Sequence, residues 1–280
     1  VSGPVARATL TGAPRMMEQV LVGPDRLVGE LISIHQGVAT IQVYEDTTGI
    51  TPGDGVYGSG APLSVELGPG LIGGIYDGIQ RPLVELAVQS GSFIHRGAAS
   101  PPLDRARRWE FRPSLQVDDE ARPGMVLGTV PETPLVEHRV LVPPEVSGRL
   151  SWVAAAEAYT VDEPLARLAG PLGEQTLTMM HRWAVRTRRP VLERLVPSEP
   201  LITGQRVIDT LFPLAKGGTA AVPGGFGAGK TVLQHALAKF ADADVIVYIG
   251  CGERGNEITD VLTQFPLLTD PRSGRSLMER

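Results

Sequence analysis

A single cysteine, Cys251, is all that 280 residues contain, so an internal disulfide framework is excluded and a reducing compartment suits the chain. A basic excess is also missing. The formal net charge is -5, which argues against a protein whose main task is gripping nucleic acid. No apolar run approaches the roughly 18 residues that a membrane span needs, so any membrane role has to come through partners. The first fifteen residues are interrupted by Gly3, Pro4, Gly12 and Pro14 and do not read as a secretory signal. The histidines (His35, His95, His138, His181, His235) lie far apart and show no metal-ligand spacing. There is no repeat of fixed period and no low-complexity tract.

Glycine and proline, by contrast, are plentiful: 33 and 24 residues, most of them in the first two thirds between short apolar runs. That pattern predicts many short strands joined by tight turns. Runs at 16–22, 27–35, 37–44 and 55–57 are separated by turn signals, and 37–44 alternates as a half-buried strand does. Strands at this spacing predict a small closed barrel over residues 1–69, since closure removes exposed edges. A connecting stretch and a short helix over 83–90 follow. A second β-rich block then occupies the rest of 70–186, with strands expected at 126–130, 138–142, 148–154 and 159–161. From 187 to 280 the pattern changes to strand, helix, strand, helix: 218–222, 231–240, 245–249 and 256–265. This is an α/β core. The expected fold class is therefore multidomain α+β.

Gly224-Gly225-Phe226-Gly227-Ala228-Gly229-Lys230-Thr231 fits the phosphate-binding pattern G-x-x-x-x-G-K-[ST]. Its glycines let backbone N–H groups converge on phosphate oxygens in conformations that a Cβ obstructs. The following helix aims its N-terminus at the same anion. Lys230 is placed to reach the β- and γ-phosphates and the Thr231 hydroxyl to ligate Mg²⁺, with Val232 next on the helix. The expected cofactors are ATP or ADP and Mg²⁺.

The strand at 245–249 runs into Gly250-Cys251-Gly252-Glu253-Arg254-Gly255-Asn256-Glu257. In open α/β sheets ligands sit beyond the carboxyl ends of the strands, so Glu253 falls on the edge where the loop holds phosphate. A carboxylate there can orient an attacking water, and an adjacent arginine, Arg254, can stabilise phosphoryl charge. Position alone leaves a solvated loop acid equally open for Glu253. Cys251 reads as a small buried filler rather than a reactive thiol.

Pro223 to Val232 and Val245 to Glu257 together resemble the catalytic A subunit of V-type and archaeal or bacterial A-type rotary ATPases. Two further runs agree: Thr203 to Asp209 with Leu211-Phe212-Pro213 and Lys216 to Thr219, and Gly60 to Leu71 ending in Asp77-Gly78-Ile79-Gln80-Arg81-Pro82. The resemblance implies an N-terminal β-barrel, an inserted bulge domain over 70–186, and a RecA-like P-loop nucleotide domain. It implies Glu253 as the water-orienting acid with Arg254 beside it, and Lys230 and Thr231 at phosphate and Mg²⁺. It also implies B subunits in an alternating A3B3 ring, central and peripheral stalks, a membrane sector contacted indirectly, H⁺ or Na⁺ transport, and a cytoplasmic, membrane-peripheral location. The sequence stops at Arg280, before the strand whose Asp supplies a second Mg²⁺ contact in that family, so a fragment is expected. Ala228 stands where eukaryotic members carry cysteine, which favours a prokaryotic source.

Two other functions remain in view. A flagellar or protein-export motor ATPase shares the loop and the Gly-Glu-Arg run but lacks the long bulge block. A RecA-like hexameric RNA translocase needs a basic, aromatic barrel, whereas this one offers Tyr44 and Tyr57 with few Lys or Arg. Arg105, Arg107, Arg108 and Arg112, with Trp109 and Phe111, form a basic-aromatic cluster that reads as a solvated face or partner contact, as do Arg182, Arg186, Arg188 and Arg189.

Overall fold

The first five strands form one antiparallel sheet: β1 (Val5–Thr9), β2 (Glu18–Val22), β3 (Leu27–His35), β4 (Val38–Val43) and β5 (Val56–Pro62), in the order β1-β4-β3-β2-β5. The computed structural model describes the whole chain except Ser92, Pro171, Leu172, Phe226, Glu253, Arg254, residues 271–273, Leu277, Glu279 and Arg280. Alternation sets the inner face. Along β2, Val20 and Val22 are buried while Gln19 and Leu21 are half-exposed. Gln36 and Gly37 carry φ of 48° and 77° between paired His35 and Val38, the backbone that a two-residue hairpin requires. One apolar cluster draws Ala6 from β1, Val20, Val22, Leu27, Leu31, Ala39, Ile41 and Val43 from the middle strands, and Val56 from β5. First and last strands thus share a single core, as a closing barrel sheet demands. Strand β1 was not expected from its broken sequence. β5 runs past residue 57 through Gly58, Ser59 and Gly60 because β2 supplies its ladder, with a bulge near Glu18.

The next block contains β6 (Ser64–Leu67), α1 (Leu83–Ser90), β7 (Trp109–Glu110), β8 (Arg112–Pro113), β9 (Glu120–Ala121), β10 (Val126–Pro131), β11 (Glu137–Leu141), β12 (Gly148–Val153), β13 (Ala158–Tyr159), β14 (Ala166–Gly170), β15 (Gly173–Leu177) and β16 (His181–Ala184). The sheets are β11-β10-β8, β15-β14-β12-β9, β13-β7 and β16-β6. Their core gathers Trp109, Phe111, Leu127, Leu150, Leu165 and Leu168, with Phe111 edge-on to Tyr159 at 6.3 Å. A Cβ on Gly128 would lie 2.3 Å from the Phe111 ring, so only glycine lets β10 cross it.

Apart from half-buried Arg105, the arginines of both clusters are exposed, as a solvated face is, but several of them are tied to the fold. Trp109 and Phe111 are core residues, and Arg107 stacks over Trp109 at 3.8 Å. Arg105 and Arg182 both pair with Glu66, at 2.6 and 3.2 Å, and Arg105 also reaches Asp162. Arg186 grips Glu30 with Nε at 2.8 and 3.0 Å and Nη2 at 2.5 Å, while the Tyr44 hydroxyl donates to the same carboxylate at 2.8 Å. The reason is burial. Glu30 and Glu66 are only 1% and 6% exposed, and a carboxylate out of water needs a counter-charge and donors.

The Arg186 hydrogen bonds, aided by Tyr44 and opposed by burial, hold the Glu30 carboxyl below its ordinary value. A depressed carboxyl stabilises the folded state above its unfolded value, about 4.3, and loses that contribution as pH falls through the folded value. Thermal melts between pH 7 and pH 3 should therefore show an acid limb that Glu30→Gln flattens. Parallel acid limbs in the two proteins would remove this pair from the pH response.

By contact density the chain divides into one unit of residues 1–130 with 139–189, and a second of 131–138 with 190–280. The second unit contains β17 (Pro200–Leu201) paired with β18 (Leu214–Ala215), and the helices α2 (Arg206–Leu211), α3 (Lys230–Phe240) and α4 (Gly255–Gln264). A 3-10 turn, Phe265–Leu267, follows. The strands expected at 218–222 and 245–249 do not form ladders. Both segments run without strand pairing, and Val245, Val247 and Ile249 are exposed. A parallel strand becomes one only between neighbours and under helices, and no described segment pairs with either run. Helices α3 and α4, whose bonds are internal, form where expected.

Candidate functional site

The phosphate-binding pattern lies between a buttress and a helix. Thr203 is fully buried, and its amide and hydroxyl donate to Asp209 Oδ1 at 2.8 and 2.7 Å. The Gly204 amide donates to Oδ2 at 3.1 Å. These bonds, the Thr203 hydroxyl first, hold the Asp209 carboxyl below its usual range. The turn they fix meets the far end of α3. The Asp242 amide donates to Ile202 O at 2.8 Å, and a Cβ on Gly204, where φ is +74°, would sit 2.6 Å from Phe240 Cβ. Only glycine satisfies both the left-handed backbone and that approach. No role for Asp209 could be read from sequence. The signal available was an acid six residues after a buried threonine, which names no partner by itself.

Helix α3 forms from good helix formers, with Leu233, Ala236, Leu237 and Phe240 at helical spacing. It closes with the Ala241 amide on Leu237 O, and Lys239 in the last turn complements the dipole. Its start is different. The N-cap is Gly229 in the left-handed region (φ 79°, ψ 16°), with no side-chain cap and no acid in the first turn. The N-cap residue thus places no side chain over the start of the helix, the arrangement that suits an anion.

The loop in front of it bends through Gly227 (φ 77°) and Gly229, and its neck is tight enough that a Cβ on Gly224 would come within 3.0 Å of Ala228 Cβ. Lys230 Nζ folds over this neck and donates to Gly224 O at 2.6 Å and Gly225 O at 2.8 Å. The structure therefore brings together Gly224, Gly225, Gly227, Ala228, Gly229, Lys230 and Thr231. Thr231 is half-buried on the first turn, and Val232 beside it is exposed. Phe226 lies outside the described residues.

The segment leading to the other candidates runs past α3, where the Tyr248 and His235 rings meet at 5.8 Å and 60°. It turns at Gly252 (φ 71°), and α4 begins at Gly255. Glu253 and Arg254, between those two points in sequence, lie outside the described residues. Cys251 is exposed, not a buried filler, because residues 245–251 have no sheet around them to bury the thiol. Among the described residues no group of three His, Cys, Asp or Glu side chains could hold a metal. A Mg²⁺ held by one hydroxyl and by nucleotide phosphates needs no such group. The glycine bends, the uncapped helix start and the lysine over the loop mouth fit a nucleotide phosphate.

Three family models match in sequence order: ATP synthase alpha/beta family, beta-barrel domain, over residues 1–60; ATP synthase alpha/beta subunit barrel-sandwich domain over 100–186; and ATP synthase alpha/beta family, nucleotide-binding domain, over 204–275. The chain belongs to the ATP synthase alpha/beta family. Its fold is accordingly an N-terminal β-barrel, a β-rich second domain and a P-loop nucleotide-binding domain. Within the family it is 55% identical to the A subunit of the A-type ATP synthase of Methanopyrus kandleri and 54% identical to that of Thermococcus sibiricus. It is 53% identical to the V-type ATP synthase alpha chain of Halothermothrix orenii. Each alignment takes in all of this chain and 48% of the relative, so the chain spans about half the length of the curated relatives it matches. Among solved structures, the assembled ATPase EscN of the enteropathogenic E. coli type III secretion system superposes with a TM-score of 0.51 at 20% identity. That match covers the whole of this chain and 45% of EscN, and it shows a shared fold.

Proposed function

We propose that this chain is the front part of the catalytic A subunit of an A/V-type rotary ATPase, in which ATP hydrolysis or synthesis is coupled to H⁺ or Na⁺ transport. The observation that carries the reading is the uncapped start of α3 behind a glycine-bent loop, with Lys230 folded over the loop mouth. The 53–55% identity to catalytic chains of that type supports it across the whole sequence. In this reading residues 1–69 are the barrel, 70–186 the linker and bulge, and 187–280 the start of the RecA-like domain. Gly224, Gly225, Phe226, Gly227, Ala228, Gly229, Lys230, Thr231 and Val232 receive the phosphates of ATP or ADP. Mg²⁺, held through the Thr231 hydroxyl, would draw charge from the terminal phosphate. Glu253 orients the attacking water and takes its proton, Arg254 steadies phosphoryl charge, and Lys230 neutralises the β- and γ-oxygens.

B subunits, alternating with this one in an A3B3 ring, and the central and peripheral stalks are the proposed partners, with the membrane sector reached through them and no nucleic acid. No helix among the described residues is long and apolar enough to cross a membrane; the proposed place, on the cytoplasmic side of a membrane-bound complex, follows from the subunit assignment. An arginine delivered from a neighbouring chain of the ring, as this family assignment implies, can be worth about three to five orders of magnitude in rate. Phosphate release is the test. The assembled enzyme should hydrolyse Mg-ATP, while residues 1–280 alone should give no sustained turnover. Robust Mg²⁺-dependent turnover by residues 1–280 would overturn the assignment as an incomplete subunit.

A further inference from the structure

Strand β16 leads to Arg189, where the first unit ends, and a set of ties secures this run. Trp183 Nε1 donates to Thr187 O at 2.7 Å, and Arg186 grips buried Glu30. Arg189 Nη1 lies 2.7 Å from His181 Nε2, while the same guanidinium stacks over the Trp183 ring at 4.5 Å. A guanidinium has donors and no acceptor. The Arg189–His181 contact is therefore a hydrogen bond only while Nε2 carries no proton.

We propose that His181 and Arg189 form a pH-operated latch on Trp183: the neutral imidazole accepts from Arg189 and keeps it over the indole, and the protonated imidazole expels it. The surroundings fix the direction. Arg189 is the cation at hydrogen-bond distance from the ring, whereas Arg182, next along the strand, is turned to Glu66, which Arg105 already holds. On the paired strand β6, Leu67 stands opposite His181 and contributes no charge. Glu145 is the acid that lines, with His181, Arg182, Trp183, Pro143 and Pro144, a cleft of about 310 Å³. A proton on His181 sets two cations at hydrogen-bond distance, and the contact with Arg189 turns from attraction to repulsion.

The other ties do not share this range. The Trp183–Thr187 bond carries no titratable group. The Glu30 carboxyl, held below the ordinary carboxylate range, keeps its charge on Arg186 to lower pH than an unpaired carboxyl would. Acid that protonates His181 thus releases Arg189, uncovering one face of Trp183 and freeing the last residue of the first unit.

The test follows the Trp183 indole N–H in ¹H–¹⁵N spectra of the chain, identified by its loss in Trp183→Phe. Between pH 8 and pH 5 the wild-type resonance should shift. In His181→Gln, whose amide oxygen accepts from Arg189 at any pH, it should stay still, and in Arg189→Gln the pH-dependent shift should be largely lost. A wild-type resonance that does not move, or one that moves equally in His181→Gln or in Arg189→Gln, overturns the latch. Each outcome is independent of nucleotide binding and of the proposed activity.

Discussion

Glu253→Gln in the assembled enzyme should keep nucleotide binding and cut steady-state hydrolysis by about two to four orders of magnitude, as expected when a positioned general base is lost. The amide has the shape of the carboxylate and still bonds a water, but it is a poor proton acceptor. In the proposed site, binding would rest on other atoms: the amides at the start of α3, the Gly227 and Gly229 bends, and Lys230. Affinity and turnover should therefore separate. A fluorescent-nucleotide titration alongside phosphate release reads both. Normal hydrolysis by the variant would remove Glu253 from the chemistry. A matched loss of affinity and rate would instead make it a binding or folding residue. Glu253→Asp refines the result: it keeps the charge and withdraws it by one methylene, so some rate should return if proton acceptance is the role.

The parts of this molecule that the sequence makes plain are those whose causes are local. Gly227 and Gly229 adopt positive φ within a few residues of one another, and α3 closes its hydrogen bonds within its own span, so loop and helix can be read directly. β3 and β4 were equally legible, joined by a two-residue turn with Gly37 at positive φ. Long-range causes hide. β16 pairs with β6, and Arg182 meets Glu66 across 116 positions of sequence; Arg186 meets Glu30 across 156. Nothing near either arginine in sequence reveals a buried carboxylate, so the ion pairs of this exposed run stay hidden. β14, Ala-Arg-Leu-Ala-Gly, has little strand propensity and exists because β12 and β15 flank it. The opposite error has the same root. Residues 245–249 have every local mark of a buried parallel strand, yet local character does not supply the neighbours that make one. The candidate site shares this division: its phosphate-facing half follows from the loop, whereas the Thr203–Asp209 buttress at the far end of α3 depends on a packing contact with Phe240.

Lys230→Ala should weaken ATP binding by about two to four orders of magnitude, the equivalent of losing two charge-assisted hydrogen bonds at roughly 1.5–3 kcal/mol each. The loop geometry explains why the loss is not partial. Lys230 Nζ lies against Gly224 O and Gly225 O, so carbonyl oxygens ring the place from which the ammonium reaches a phosphate. With the lysine gone, those oxygens keep their partial negative charge at the loop neck with no cation to offset it, and an incoming polyphosphate meets repulsion where it met attraction. No other residue of the first turn supplies a positive charge, since Thr231, Val232 and Leu233 follow. Folding should be spared. Alanine is the best helix former, the helix start is set by Gly229, and Leu233 N still bonds Gly229 O at 3.0 Å. An unchanged melting profile together with lost affinity would therefore locate the defect in the site. Lys230→Arg gives the finer reading: charge is retained, but a planar fork replaces a compact ammonium, so affinity should fall by less than in Lys230→Ala and turnover by more than affinity. Nucleotide affinity within about twofold of wild type in Lys230→Ala, a change below about 0.5 kcal/mol, would detach the lysine from the phosphates and leave its two carbonyl bonds as a purely structural clasp on the loop.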